Sequence, residues 1–139
     1  MSETQLQLLV YVSSAVHRFD TEELDELLAK SRAWNADHDV TGMLLYHDGN
    51  FVQALEGAPE AVEATFERVA SDSRHRGLIR MISERADARR FAAWDMGFHR
   101  PAHDTPPAGW SDFLKRRDAS DAGGHIALSI LESFRRNTR

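Results

Sequence analysis

Three side chains put hydrogen-bonding chemistry where the surrounding pattern is apolar: Tyr11, Asn35 and Gln53. Tyr11 lies between Val10 and Val12 in a short apolar run, and a buried phenol needs a partner for its hydroxyl. Gln53 shares a parity with Phe51 and Leu55, so all three point to one face of a strand. Its amide has two N–H donors and a carbonyl acceptor, and leaving them unpaired in a core costs about 1–3 kcal/mol. A glutamine on the open side of a sheet has the same parity, and parity does not choose the side. Asn35 falls at i+4 from Ser31 and i+7 from Leu28, which extends the buried stripe of a helix. Spacing alone favours the plainer reading of a polar residue at a fraying helix end.

Other groups carry weaker signals. Trp94, Met96 and Phe98 form a row of one parity, as core residues of a strand do. Arg74, His75 and Arg76 could meet a phosphate or stay solvated. The seven histidines lack helical metal-ligand spacing, because Pro101 interrupts the one pair four residues apart, His99 and His103. No nucleophile elbow, P-loop or dinucleotide fingerprint is present. The acids at 22, 23, 25 and 26 read as the solvated face and dipole partners of a helix N-terminus.

These residues need elements to hold them. Residues 6–13 read as a strand, and Asp20 or Thr21 caps a helix reaching about residue 36. Thr41–His47 and Phe51–Leu55 make a hairpin around Asp48-Gly49-Asn50. Pro59 opens a second helix with Val62, Phe66 and Val69 on its apolar stripe. Strands follow at 78–84 and about 92–98, then a proline-bearing linker at 100–108. Helices are expected at 109–117 and 124–136, separated by Gly123-Gly124. The order is that of an α+β, ferredoxin-like βαββαββ sheet with two helices on one face and a C-terminal helical cap.

The composition limits the function classes. The 139 residues are 42% hydrophobic and 28% charged, as expected of one globular domain. The absence of cysteine excludes disulfides, thiol catalysis and thiolate metal sites. A net charge of −5 without a long basic run predicts no direct nucleic-acid binding. No apolar run suits a membrane span, and the N-terminus lacks a signal-peptide pattern, so a cytoplasmic location is expected.

The polar residues also occur in a recognisable order. The sequence resembles the BLUF domain, a sensor of blue light that uses FAD, over about residues 6–98. The likeness rests on Leu8-Leu9-Val10-Tyr11-Val12-Ser13, on Ser31-Arg-Ala-Trp-Asn35 and on Val40-Thr-Gly-Met-Leu-Leu-Tyr46. It continues through Asp48-Gly49-Asn-Phe51-Val-Gln53-Ala-Leu55-Glu56-Gly57, Asp72-Ser-Arg74-His75 and Arg90-Phe91-Ala-Ala-Trp94-Asp-Met96-Gly-Phe98. Residues 99–139 match no family motif and are expected to form a linker and helical extension of the same domain.

The resemblance implies a flavin held between the two helices. It makes Tyr11 the electron and proton donor to the excited flavin and places Gln53 between them. Ser31, Asn35, Arg74 and His75 join the cofactor-binding set, and Trp94 and Met96 become the pair linked to signalling. It implies that light rotates or tautomerises the Gln53 amide and shifts absorption to the red, without substrate turnover. Trp34 departs from the family, where a polar residue or histidine is common, and puts flavin stacking or solvent access in question. The signal would pass to a protein effector in trans or through a homo-oligomer, with the sheet face and the 124–136 stripe as contact surfaces. Two other readings stand beside it: an acylphosphatase-like hydrolase using Arg74 or Asn35, and a light-blind interaction module on the same scaffold.

Overall fold

The computed structural model describes residues 5–92, 96–99, 110, 113 and 121–135. Strands β1 (Leu6–Ala15), β2 (Thr41–His47), β3 (Asn50–Gly57), β4 (His75–Ala86) and β5 (Gly97–His99) form one sheet in the order β4-β1-β3-β2-β5. Helices α1 (Thr21–Asp37), α2 (Pro59–Ala70) and α3 (Asp121–Arg135) complete the described elements. All neighbouring strands are antiparallel except β2 and β5, which makes the sheet mixed and the architecture α+β and ferredoxin-like.

Alternation along the strands divides the core into two layers. Leu9, Tyr11, Leu44, Phe51 and Leu55 face α1 and α2, joined by Leu24, Leu28, Val62 and Phe66. Leu8, Val10, Met43, Val52 and Ala54 face the other way, against Phe91, Trp110, Phe113, Ala127 and Leu131. Both faces of the sheet are thus covered, which is why β1, β2 and β3 are apolar almost throughout.

Local chemistry sets the elements. Asp20 caps α1 in a reciprocal box with Glu23, an arrangement worth about 1 kcal/mol. The β2–β3 turn needs left-handed backbone at Asp48 and Gly49, with φ of 51° and 77°. At Gly42 a Cβ would collide with the carbonyl oxygen of Ala54, so only glycine lets β2 and β3 pair there.

Several boundaries differ from expectation. Strand β4 begins at His75, because the turn after α2 feeds straight into pairing with Ala15. Strand β5 spans only three residues, and Met96 immediately precedes it. Trp94 lies outside the described residues, as does most of 109–117, of which Trp110 and Phe113 are buried helical positions. Gly123 and Gly124 do not separate two helices. Both belong to α3, where a Cβ on Gly124 would come within 2.8 Å of the Met81 carbonyl oxygen. Tertiary approach to β4, not chain reversal, is what requires glycine at 124. The 124–136 stripe is also not an open contact face, since Ile130 and Leu131 are buried against the sheet.

Candidate flavin site

Tyr11 and Gln53 are direct cross-strand partners between β1 and β3, and Leu44 of β2 completes the row. Their shared face turns toward α1 and α2. Side chains opposite each other across a strand pair come close enough to bond, and the Tyr11 hydroxyl donates to Oε1 of Gln53. The other end of the amide is also engaged, Nε2 lying 3.5 Å from Sδ of Met96. Tyr11, Gln53 and Met96 are all buried, so the three form a continuous internal hydrogen-bonded path.

The surroundings of Tyr11 fix its ring and its proton. The edge of Phe66 meets it at 5.1 Å with the planes at 90°, and the Arg80 guanidinium stacks on Phe66 at 4.2 Å. A β-bulge falls beside Tyr11: Val10 pairs with Ile82 but Tyr11 with Arg80, leaving Met81 extra. Burial pushes the phenol well above its usual range, with Arg68 opposing the shift. Tyr11 therefore cannot ionise alone near neutral pH.

Next to this path a cavity of about 210 Å³ opens between the helices. Leu27, Leu44, Phe51 and Val69 give it apolar walls, and Ser31 and Gln53 give it polar points. Its lining also includes the cations Lys30, Arg68 and Arg74, against one carboxylate, Asp72. Such a slot suits a flat aromatic ring with hydrogen-bonding edges and an anionic tail. Arg74 forks onto Asp72 through Nε and Nη2, at 3.1 and 2.8 Å, and this bond pulls the Asp72 carboxyl down to about 2.

Of the residues singled out in the sequence, Ser31, Gln53, Arg74 and His75 line the cavity. Tyr11 and Met96 reach it only through Gln53. Asn35 is 1% exposed, so it is not at a fraying end, yet it is not in the cavity wall. Its carbonyl accepts from Val40 N at 2.9 Å, which turns the chain out of α1 and into β2. Trp34 bridges the helices by donating to Thr65 Oγ1 at 2.9 Å, and its ring stacks on His38. Sequence reasoning missed Lys30 and Arg68, which carry no signal beyond their charge. It also missed Arg32, whose Nε donates to the Met96 carbonyl at 2.9 Å.

His75 shares a 3.2 Å hydrogen bond between Nδ1 and Ser13 Oγ and packs against Phe51 at 4.7 Å. Burial lowers its pKa, aided by Arg74 and opposed by Asp72. The folded state then refuses a proton that the unfolded chain accepts below 6.5, so stability falls as pH drops through that value. The thermal midpoint is expected to be lower at about pH 5.5 than at about pH 7.5, and His75→Gln should reduce that difference. An unchanged pH dependence in the variant would exclude His75 as its source.

The hydrolase reading is not favoured: the slot between the helices has the apolar walls and polar edges that suit a flat ring.

Comparison with known proteins agrees with this geometry. The family model described as sensors of blue light using FAD matches residues 6–97. The chain is 31% identical over 86 residues to the blue light- and temperature-regulated antirepressor BluF of Escherichia coli (strain K12), covering 62% of this chain and 21% of that protein. It is 33% identical over 91 residues to the photoactivated adenylate cyclase subunit alpha of Euglena gracilis, covering 66% of this chain and 9% of that one. The chain thus spans about a fifth or less of these relatives. Among solved structures, the dark state of BlrB, a BLUF protein, superposes with a TM-score of 0.75 at 26% identity, covering 93% of this chain and 96% of BlrB. The matched family is one of sensor domains rather than of catalytic domains. By the family model spanning residues 6–97, this chain belongs to the BLUF family, the sensors of blue light that use FAD.

Proposed function

We propose that Tyr11, Gln53 and Met96 are the photoactive path of this sensor and that the Gln53 amide is its switch. The observation that carries the reading is the buried bond from Tyr11 to Gln53 Oε1, continued by Gln53 Nε2 to Met96 Sδ. The residues present fit the cofactor. Leu27, Leu44, Phe51 and Val69 supply the apolar slot, and Ser31, Gln53 and His75 supply polar edges. Lys30, Arg68 and Arg74 supply the positive charge that a pyrophosphate requires. Asn35 joins the binding set from the end of α1. Residues 1–98 then form the flavin-binding domain, and residues 99–139 its linker and helical extension.

Excited by blue light, bound FAD supplies a strong oxidant. Tyr11 is the oxidisable side chain, and burial prevents it from releasing its proton before its electron. The proton moves from Tyr11 Oη toward Gln53 Oε1, the acceptor already in place. When Tyr11 recovers its electron and proton nothing has been consumed, and the amide is left rotated. Nε2 then faces the Tyr11 hydroxyl and Oε1 faces Met96. A thioether has no hydrogen to offer an amide oxygen, so Met96 loses its partner and shifts. Arg32, on the Met96 carbonyl, carries that shift toward α1. Trp94, two residues before Met96, is the companion of the movement. Two states of this segment, biased by one amide, suffice to signal.

The output passes by protein–protein contact, to an effector in trans or through a homo-oligomer. The relatives described above, an antirepressor and a photoactivated adenylate cyclase subunit, support an output that differs between family members. No helix among the described residues is long and apolar enough to cross a membrane.

The test is the absorption spectrum of the purified chain in darkness and under blue light. A yellow protein whose flavin bands move to the red and revert in darkness is expected. A flavin that bleaches or never shifts overturns the amide switch, and a chain that refuses FAD overturns the sensor reading.

A further inference from the structure

Glu56 closes the Phe-x-Gln-x-Leu-Glu-Gly run that contains Gln53, and the photoactive path makes no use of it. It lies three residues beyond Gln53 on β3, with the parity of Val52 and Ala54, and so faces the cap side of the sheet. It is 0% exposed. A carboxylate in such a place must be fully hydrogen-bonded to be tolerated. Oε2 accepts the backbone N–H of Arg90 at 2.7 Å. Oε1 accepts that of Phe91 at 2.7 Å and the Thr41 hydroxyl at 3.0 Å. Arg89 encloses the group from outside, donating to Thr41 Oγ1 at 2.9 Å and to the Asp39 carbonyl at 2.8 Å.

The two residues held by Glu56 are where the switch segment meets the cap. Phe91 is fully buried in the layer that contains Trp110, Phe113 and Leu131. The Arg90 guanidinium reaches α3, with Nη1 2.8 Å from Glu132 Oε1. Met96 follows five residues after Phe91, held by Gln53 on its side chain and by Arg32 on its carbonyl. Strand β3 therefore grips this stretch of chain twice. Gln53 holds it from the helix side, through a bond that the switch changes. Glu56 holds it from the cap side, through bonds that the switch leaves alone.

We infer that Glu56 is a positioning residue for signal output, the fixed pivot that turns displacement of Met96 into displacement of the cap helix α3. The inference rests on the proposed Gln53 switch. Without the pivot, Arg90 and Phe91 would have no fixed point on β3 about which to turn. With it, Arg90 and Phe91 pass the movement to α3.

The test is amide hydrogen exchange of the full chain with FAD bound, in darkness and under blue light. Glu56→Gln keeps the shape but turns one acceptor into a donor that opposes a backbone N–H. In darkness, exchange at Arg90 and Phe91 should rise about tenfold or more. The red shift should persist, while the light-minus-dark exchange difference across 121–135 falls at least severalfold. Glu132→Gln takes the charge out of the surface arm to Arg90 and leaves the core contacts in place, and it should reduce the same difference with the red shift intact. Glu56→Asp should restore part of it. A wild-type chain without a red shift would refute the switch itself. The inference alone falls if the wild type shifts but α3 exchanges alike in light and darkness, or if both Gln variants keep the full difference.

Discussion

Tyr11→Phe binds FAD and shows no light-induced red shift. The variant keeps the ring, its edge contact with Phe66 and the apolar wall, so the cavity survives. It removes the one oxidisable hydroxyl bonded to Gln53. Without a proton to move along that bond, the amide has no means of turning. The lost bond leaves Gln53 Oε1 short of a partner in a buried site, which costs about 1–3 kcal/mol of stability. The chain has one other tyrosine, and it provides the control. The Tyr46 hydroxyl accepts from the Phe19 backbone N–H at 2.9 Å, so its engagement is with the loop before α1. Tyr46→Phe should photocycle. Absorption difference spectra decide the matter, and a Tyr11→Phe protein that still shifts to the red removes Tyr11 as donor.

Gln53→Leu is the second large effect. Leucine matches the bulk of the amide but can neither accept from Tyr11 nor donate to Met96. The flavin should remain bound, held by the walls and cations of the cavity, and the red shift should vanish. The buried phenol then lacks an acceptor, at a cost again of about 1–3 kcal/mol, read as a lower urea midpoint. A retained shift in this variant would sink the amide switch while leaving flavin binding intact.

Short-range periodicity made part of the fold and of the site legible in the sequence. Parity grouped Gln53 with Phe51 and Leu55, and all three share the face toward the helices. The Asp48-Gly49 turn was readable because left-handed backbone restricts residue choice so strongly. What parity could not do was choose the face, because β3 is covered on both sides and shows no polar side to mark solvent. Asn35 was misjudged for a related reason. Its spacing fitted the buried stripe, but chain turning through the Asn35 carbonyl to Val40 depends on β2, which a helical periodicity does not contain. Gly124 reads locally as a helix breaker and acts as a contact surface, a choice made by β4 about 40 residues earlier in the chain. Glu56 was visible only as a motif residue, since its partners at 90 and 91 lie in a loop without periodicity.

In the proposed switch, light changes the hydrogen bonds of one amide. The chain contains three glutamines, Gln5, Gln7 and Gln53. Light-minus-dark infrared spectra of the FAD-bound chain, with and without isotope label in the glutamine side chains, address that amide directly. Difference bands that move with the label and disappear in Gln53→Leu are expected. A full red shift accompanied by difference bands indifferent to the label would contradict it.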